Sequence, residues 1–338
     1  MNGNPLGMRG LAFVEYASAA PEKLGALFAD MGFVRIGRHR SLAVDHYRQN
    51  GIHFFVNHEP GTHAAAFTAA HGPCVCSLGL LFEDAQAAFD EAVRRGAKPF
   101  QGKGTFDVPA IHGIGDAVLY FVEASGPRSF QAHFESDWNA DVRGVGFLAI
   151  DHLTNNVHRG TLGEWQRFYQ EIFGFTEVRH FDIRGEETGL FSYALRSPDG
   201  SFCIPINEGK EEKSQIDEYL REYKGPGVQH IALTTEDILG TLDRIGGKVV
   251  TLDIDDEYYA TVFDRVHGVT EDPERIRQHQ VLVDGDDAGY LLQIFSQNVI
   301  GPIFFEFIQR RNHQAFGEGN FGALFRSIER DQKRRGVL

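Results

Sequence analysis

The sequence predicts an α+β protein of tandem βαβββ modules, four copies in two pairs, each pair forming an open antiparallel barrel-like sheet with its helices outside. Two internal repeats carry that prediction. Residues 10–15 (Gly-Leu-Ala-Phe-Val-Glu) open the first half, with a helix-period stretch at 24–33 behind them; residues 146–152 (Gly-Phe-Leu-Ala-Ile-Asp-His) open the second half, with a similar stretch at 165–175. A second unit recurs, residues 75–84 resembling 228–237, and both copies end in Glu-Asp.

Taken in order, each first module supplies a strand, a helix and then further strands, such as 45–49 and 52–56. The Glu-Asp pairs mark where a strand gives way to a helix, at 85–95 with Gly96 behind it and at 238–245 with Gly246 and Gly247 behind it. An acidic residue at a helix start and glycine past its end are the expected caps. Residues 136–143, polar and rich in Asp and Asn, read as a linker, so the expected domains are 1–135 and 144–338. Lysine-bearing residues 210–213 and acidic residues 253–257 read as solvated loops.

The C-terminal stretch organises the rest. Residues 303–309 form an apolar strand around one carboxylate, Glu306, which must be salt-bridged or bind something positive, because a lone buried charge costs several kcal/mol or more. Glycines at 317 and 319 then mark a tight turn, and residues 323–328 space their apolar side chains as a helix does. That helix runs into Lys333, Arg334 and Arg335, with Gly336 as its stop. A terminal helix hinged on such a turn is placed to close over a pocket.

With 47 acidic against 33 basic residues the formal charge is −14, which disfavours nucleic acid and anionic membranes as partners. No apolar run approaches the roughly 20 residues of a membrane span, and the N-terminus is not a signal peptide. Three cysteines, an odd number, argue for a reducing compartment, so a cytoplasmic protein is expected. Cys74 and Cys76 have no second cysteine pair to complete a zinc site and read as small core residues.

Aligning the halves sets His152 opposite Glu15 and His230 opposite Ser77, while Glu306 falls in a closing strand whose counterpart at 117–122 is apolar. The gaps between His152, His230 and Glu306 are too long for a local zinc motif and suit one ligand from each of three strands. Two histidines and a carboxylate on one side of a metal suit non-haem Fe(II), and zinc tolerates the same set.

Specific motifs surround these positions. Asp151-His152 with Asn155 and Asn156, Pro205 with Asn207 and Glu208, Lys213 with Gln215, Gln229-His230, Gln293 with Phe295, Phe304-Phe305-Glu306 with Gln309 and Arg310, and Phe316 to Phe321 follow one another in order. On them the chain resembles the 4-hydroxyphenylpyruvate dioxygenases of the vicinal oxygen chelate superfamily, densely in the second half and loosely in the first.

The resemblance implies that His152, His230 and Glu306 hold Fe(II). It implies a substrate pocket of Ser192, Asn207, Gln215, Gln229, Gln293, Phe295, Phe304, Phe316 and Phe321, with Gln229, Gln293, Asn320 and Phe321 closest to the chemistry and Asn320 at the mouth. Amides and a hydroxyl orient a phenol and a keto acid without adding charge, and phenylalanines suit a flat ring. The implied reaction takes 4-hydroxyphenylpyruvate and O2 to homogentisate and CO2 in tyrosine and phenylalanine catabolism, in a homodimer or homotetramer whose first domain lacks a metal site and is structural. The alternatives are a 4-hydroxymandelate synthase, an extradiol catechol dioxygenase, which wants an acid-base His or Tyr that these positions lack, and a metal-free small-molecule-binding module.

Overall fold

The computed structural model describes residues 3–185, 187–334 and 336. Among the described residues, sixteen strands form two eight-stranded sheets. The first contains β1 (Met8–Ala17), β2 (Val34–His39), β3 (Val44–Gln49), β4 (Ile52–Asn57), β5 (Cys74–Phe82), β6 (Ala110–His112), β7 (Val118–Val122) and β8 (Phe134–Ser136). The second contains β9 (Phe147–Val157), β10 (Thr176–Arg184), β11 (Gly189–Arg196), β12 (Cys203–Gly209), β13 (Gly227–Thr235), β14 (Leu282–Asp286), β15 (Gly289–Phe295) and β16 (Phe304–Arg311). Their orders are β6-β7-β5-β1-β4-β3-β2-β8 and β10-β11-β12-β9-β13-β16-β15-β14.

The α+β class and the four modules in two pairs are present, with one refinement. Modules pair through antiparallel β1/β5 and β9/β13, but β1/β4, β5/β7, β9/β12 and β13/β16 run parallel, so the sheets are mixed. The intervening helix brings the chain back alongside its own first strand, as a parallel crossover requires.

The helices start where the capping residues predict. Asp84 accepts a hydrogen bond from Ala87 N at the head of Ala85–Arg94, and Asp237 accepts one from Gly240 N at the head of Ile238–Ile245, both at 2.9 Å. Gly246 ends the latter with φ at 62°, a conformation that glycine adopts without steric cost. Pro21 sits in the first turn of Pro21–Asp30, where its missing N–H costs nothing.

Two expectations about loops change. Ser136 belongs to β8, which pairs with β2, and Arg48 donates to Trp138 O at 2.9 Å, so the expected linker is strapped to the first sheet. The acidic residues at 253–257 are a docking surface: Asp255 pairs with Arg330 at 2.6 Å, and Ser327 donates to Asp253 O at 2.7 Å. Both partners are on the terminal helix, Phe321–Arg334. Arg335, counted in the basic run, lies outside the described residues.

The hollow of the first sheet is filled by Phe13, Phe55, Phe106, Phe130 and Phe134. Against them His46 Nε2 and His53 Nδ1 lie 2.9 Å apart, and burial, with neighbouring cationic groups, pushes His46 down to about 2 and His53 down to about 4. Both are neutral in the native protein, whereas the unfolded chain protonates them below about 6.5. Their contribution is present above that value and is lost as pH falls toward 4, by about 2 kcal/mol for each histidine at about pH 5. The urea midpoint is therefore expected to drop between pH 7.5 and 5, and His53→Gln to flatten the slope. A midpoint independent of pH would rule the effect out.

Candidate metal centre

β9, β13 and β16 lie side by side in the second sheet, and each sends one titratable side chain to the same point. His152 Nε2 stands 3.1 Å from Glu306 Oε2, His230 Nε2 stands 3.5 Å from it, and the two Nε2 atoms are 3.3 Å apart. Register explains the meeting: β13 and β16 run parallel with Ala232 beside Glu306, while β9 crosses antiparallel with His152 beside Ala232. The side chains of His152 and Glu306 are each 4% exposed, and that of His230 is 12% exposed.

The donors fit a divalent ion. Atoms about 2.0–2.1 Å from one ion stand roughly 2.8–3.4 Å apart at octahedral to tetrahedral angles, close to the observed triangle. Charge agrees. Burial works to lower His152, but Glu306 and Asp151 outweigh it and raise it to about 9. Burial works to raise Glu306, but the charge on His152 and hydrogen bonds from both histidines bring it down to about 2. Burial, above all, holds His230 below its ordinary value. A cluster that draws a proton to balance its carboxylate is one a metal cation satisfies better.

Neighbours orient the rings. His152 Nδ1 lies 2.7 Å from Asp151 Oδ2, and Arg310 grips that carboxylate, Nε donating to Oδ1 at 2.8 Å and Nη2 to Oδ2 at 2.9 Å. His230 Nδ1 lies 3.1 Å from Gln229 Oε1, toward which Asn207 Nδ2 also donates, at 3.5 Å. With each Nδ1 engaged, the Nε2 lone pairs face the shared point.

A cavity of about 90 Å³ opens over this triad. That is several times the space of about 10–15 Å³ that a cavity needs to hold one water. Of the expected pocket residues, Ser192, Asn207, Gln215, Gln229, Phe295, Phe304, Phe316 and Phe321 line it. Phe304 stacks on His230 with centroids 4.8 Å apart, and Phe316 meets His152 edge-on at 5.6 Å. A wider cleft of about 400 Å³ abuts the cavity across Gln215, Gln229, Phe304 and Ile328.

Gln293 and Asn320 stand behind the wall. The Gln293 side chain is buried with neither amide atom hydrogen-bonded among the described residues, because the turn at Gly317 folds directly over it. Asn320, expected at the mouth, is fully buried in the hinge, its Oδ1 2.7 Å from the Tyr258 hydroxyl. Sequence reasoning missed Thr154, Phe181, Leu190 and the stripe Leu324, Phe325 and Ile328 behind the expected Phe321, whose helical spacing was the available signal. Gly317 has φ at 78°, and a methyl there would overlap the Gln293 amide. Gly317→Ala is therefore expected to lift this turn and the helix behind it, lowering kcat/KM roughly tenfold or more while a metal ion is still bound, as steady-state kinetics beside metal analysis would show.

Comparison with known proteins agrees with this geometry. Residues 2–139 match the family described as hydroxyphenylpyruvate dioxygenase, N-terminal, and residues 149–277 match the glyoxalase/bleomycin resistance protein/dioxygenase superfamily. The 4-hydroxyphenylpyruvate dioxygenase of Legionella pneumophila strain Corby is 43% identical across 100% of this chain and 98% of its own length. The chain belongs to the 4-hydroxyphenylpyruvate dioxygenase family. It is also 52% identical to protein MelA of Shewanella colwelliana over 99% of each. Among solved structures, a mutant of 4-hydroxymandelate synthase from Streptomyces coelicolor superposes with a TM-score of 0.85 at 26% identity, covering 96% of this chain and 99% of that one. As a member of the 4-hydroxyphenylpyruvate dioxygenase family the chain is an enzyme, a dioxygenase with a buried His-His-Glu group suited to a metal.

Proposed function

We propose that this enzyme is Fe(II)-dependent and converts 4-hydroxyphenylpyruvate and O2 to homogentisate and CO2, as a step of tyrosine and phenylalanine catabolism. The observation that carries the reading is the buried triad of His152, His230 and Glu306 beneath an aromatic cavity, in a chain alike along its whole length to dioxygenases named for that substrate. His152, His230 and Glu306 would hold the iron. When bound, Fe(II) would supply the electrons that activate O2 and a Lewis acid for a 2-oxo acid.

The chain's own residues bind and orient. Phe295 and Phe304, at 70° to one another, offer one face and one edge to a phenol ring. Gln229 and Asn207, already joined, and Ser192 and Gln215 present neutral polar groups that fix the substrate's ends. Phe316, Phe321, Leu324 and Phe325 keep water out, so the reactive species meets only substrate. Gln293 joins them once Gly317 lifts. The expected units are 1–135 and 144–338, with the first serving as scaffold and subunit contact in a homodimer or homotetramer.

The second reading, 4-hydroxymandelate synthase, is favoured by the structural match to that enzyme. Product analysis separates the two, homogentisate against 4-hydroxymandelate. Adding 4-hydroxyphenylpyruvate anaerobically to the iron-loaded protein is expected to give a charge-transfer band of a chelated 2-oxo acid. Its absence, with iron bound, would defeat the proposal.

A further inference from the structure

Arg310 follows the buried run of β16, four residues beyond Glu306 and, by the two-residue period of a strand, on the same face. Its side chain is 15% exposed and commits its fork in two directions. Nε and Nη2 grip the Asp151 carboxylate, whose Oδ2 holds His152 Nδ1. Nη1 donates instead to two backbone carbonyls, His313 O at 3.0 Å and Ala315 O at 2.6 Å. Those carbonyls belong to the segment that leads from β16 into the Gly317 turn and the terminal helix. Between them and that turn lies Phe316, its ring 6.0 Å from the guanidinium and edge-on to His152.

We propose that Arg310 is a positioning residue that couples closure of the terminal lid to the orientation of the His152 ligand. The inference rests on the metal-site reading given under Proposed function. When the root of the lid leaves, Nη1 loses both acceptors, and the guanidinium is free to turn. Asp151 then loses its bidentate clamp, and the His152 ring its fixed Nδ1 partner. In the other direction, a cation on His152 Nε2 fixes the ring, which fixes Asp151, which holds the fork ready for the His313 and Ala315 carbonyls. A guanidinium suits this because its donors are planar and rigidly spaced, whereas a lysine ammonium is a point charge unable to span both sets. Coupling of this kind is reciprocal: whatever closes the lid tightens the metal, and the metal closes the lid to the same degree.

The test uses the full-length metal-free protein, Co(II) as the probe ion, and hydrogen exchange across residues 312–325. Wild-type protein is expected to bind about one ion and to slow exchange in that segment about fivefold or more. Arg310→Lys keeps the positive charge beside Asp151, so it is expected to fold and still bind Co(II). Its affinity should be about 10- to 100-fold weaker, as for lost partners behind a metal ligand, and the metal-induced slowing should disappear. Asp151→Asn, which leaves Arg310 in place, should abolish the slowing too. Wild-type protein that binds the ion without any change in exchange overturns the inference, as does undiminished slowing in both variants. Wild-type protein that takes up no ion would instead bring down the metal-site reading, and this inference with it.

Discussion

Glu306→Ala is expected to leave a folded protein that retains no iron and forms no product. Glu306 is the one anion of the triad and only 3% exposed, so nothing from solvent replaces it. Without it a divalent cation would sit beside two neutral imidazoles in a dry site, where its charge is poorly balanced. The apparent binding free energy of a four-ligand zinc site, about 10–16 kcal/mol, shared among its ligands, suggests that losing one weakens binding roughly 10²- to 10³-fold. Folding should survive, because the charge that Glu306 draws onto His152 goes with it, while Asp151 stays paired with Arg310. Iron content after gel filtration, read beside a thermal melt, checks both halves. Full activity in this variant would overturn the assignment of the site.

A chain ending at Phe321 is expected to keep its metal and to lose the link between O2 consumption and homogentisate, by roughly 10²-fold in product formed. The removed helix carries Leu324, Phe325 and Ile328, one wall of the cavity, and none of the ligands. It is held by more than that stripe. Phe325 packs with Leu190 and Ile216, Gln332 donates to Glu218 at 2.7 Å, and the Glu329 carboxylate accepts from the backbone N–H groups of Glu187 and Thr188, both at 3.2 Å. With these gone, water reaches the triad and the substrate loses its fixed pose. Simultaneous oxygen-electrode and product measurements read the ratio; an unchanged ratio would show that the helix is not a lid.

Most of the fold was legible because the repeat is written in local signals: helix caps at Asp84 and Asp237, and strands whose starts recur. The triad was legible for a related reason: His230 and Ser77 share a register position, while His152, set opposite Glu15 in the sequence, stands opposite Phe13 once the strands are paired. What stayed hidden depends on who meets whom across the chain. Nothing local says that Arg310 reaches back to Asp151, 159 residues earlier, or that the acidic stretch at 253–257 waits for Arg330. Asn320 was misplaced for the same reason: a residue flanking a glycine turn can face either way, and Tyr258, from a distant helix, decides it. The helices Asp256–Arg265 and Pro273–Gln278 went unread because they lie in a connection with no counterpart in the first half.

The unliganded sheet has its own bearing on what the molecule can become. The register pairs Phe13 and Tyr120 with Gly79 as it pairs His152 and Glu306 with Ala232, so Phe13, Ser77 and Tyr120, and not the Glu15 that the sequence alignment set opposite His152, stand where the second sheet has His152, His230 and Glu306. Glu15 there accepts from Asn57 at 2.8 Å and from Ser77 and Thr105, while burial raises its affinity for a proton. Installing two imidazoles and an acid at these three places would still leave Phe55 and Phe134, stacked 4.4 Å apart, with Phe106 beside them, filling the room an incoming molecule needs. The duplicated half is thus closed to a second turnover centre by its own packing, and a designer wanting two per chain would have to empty that hollow before editing a single ligand.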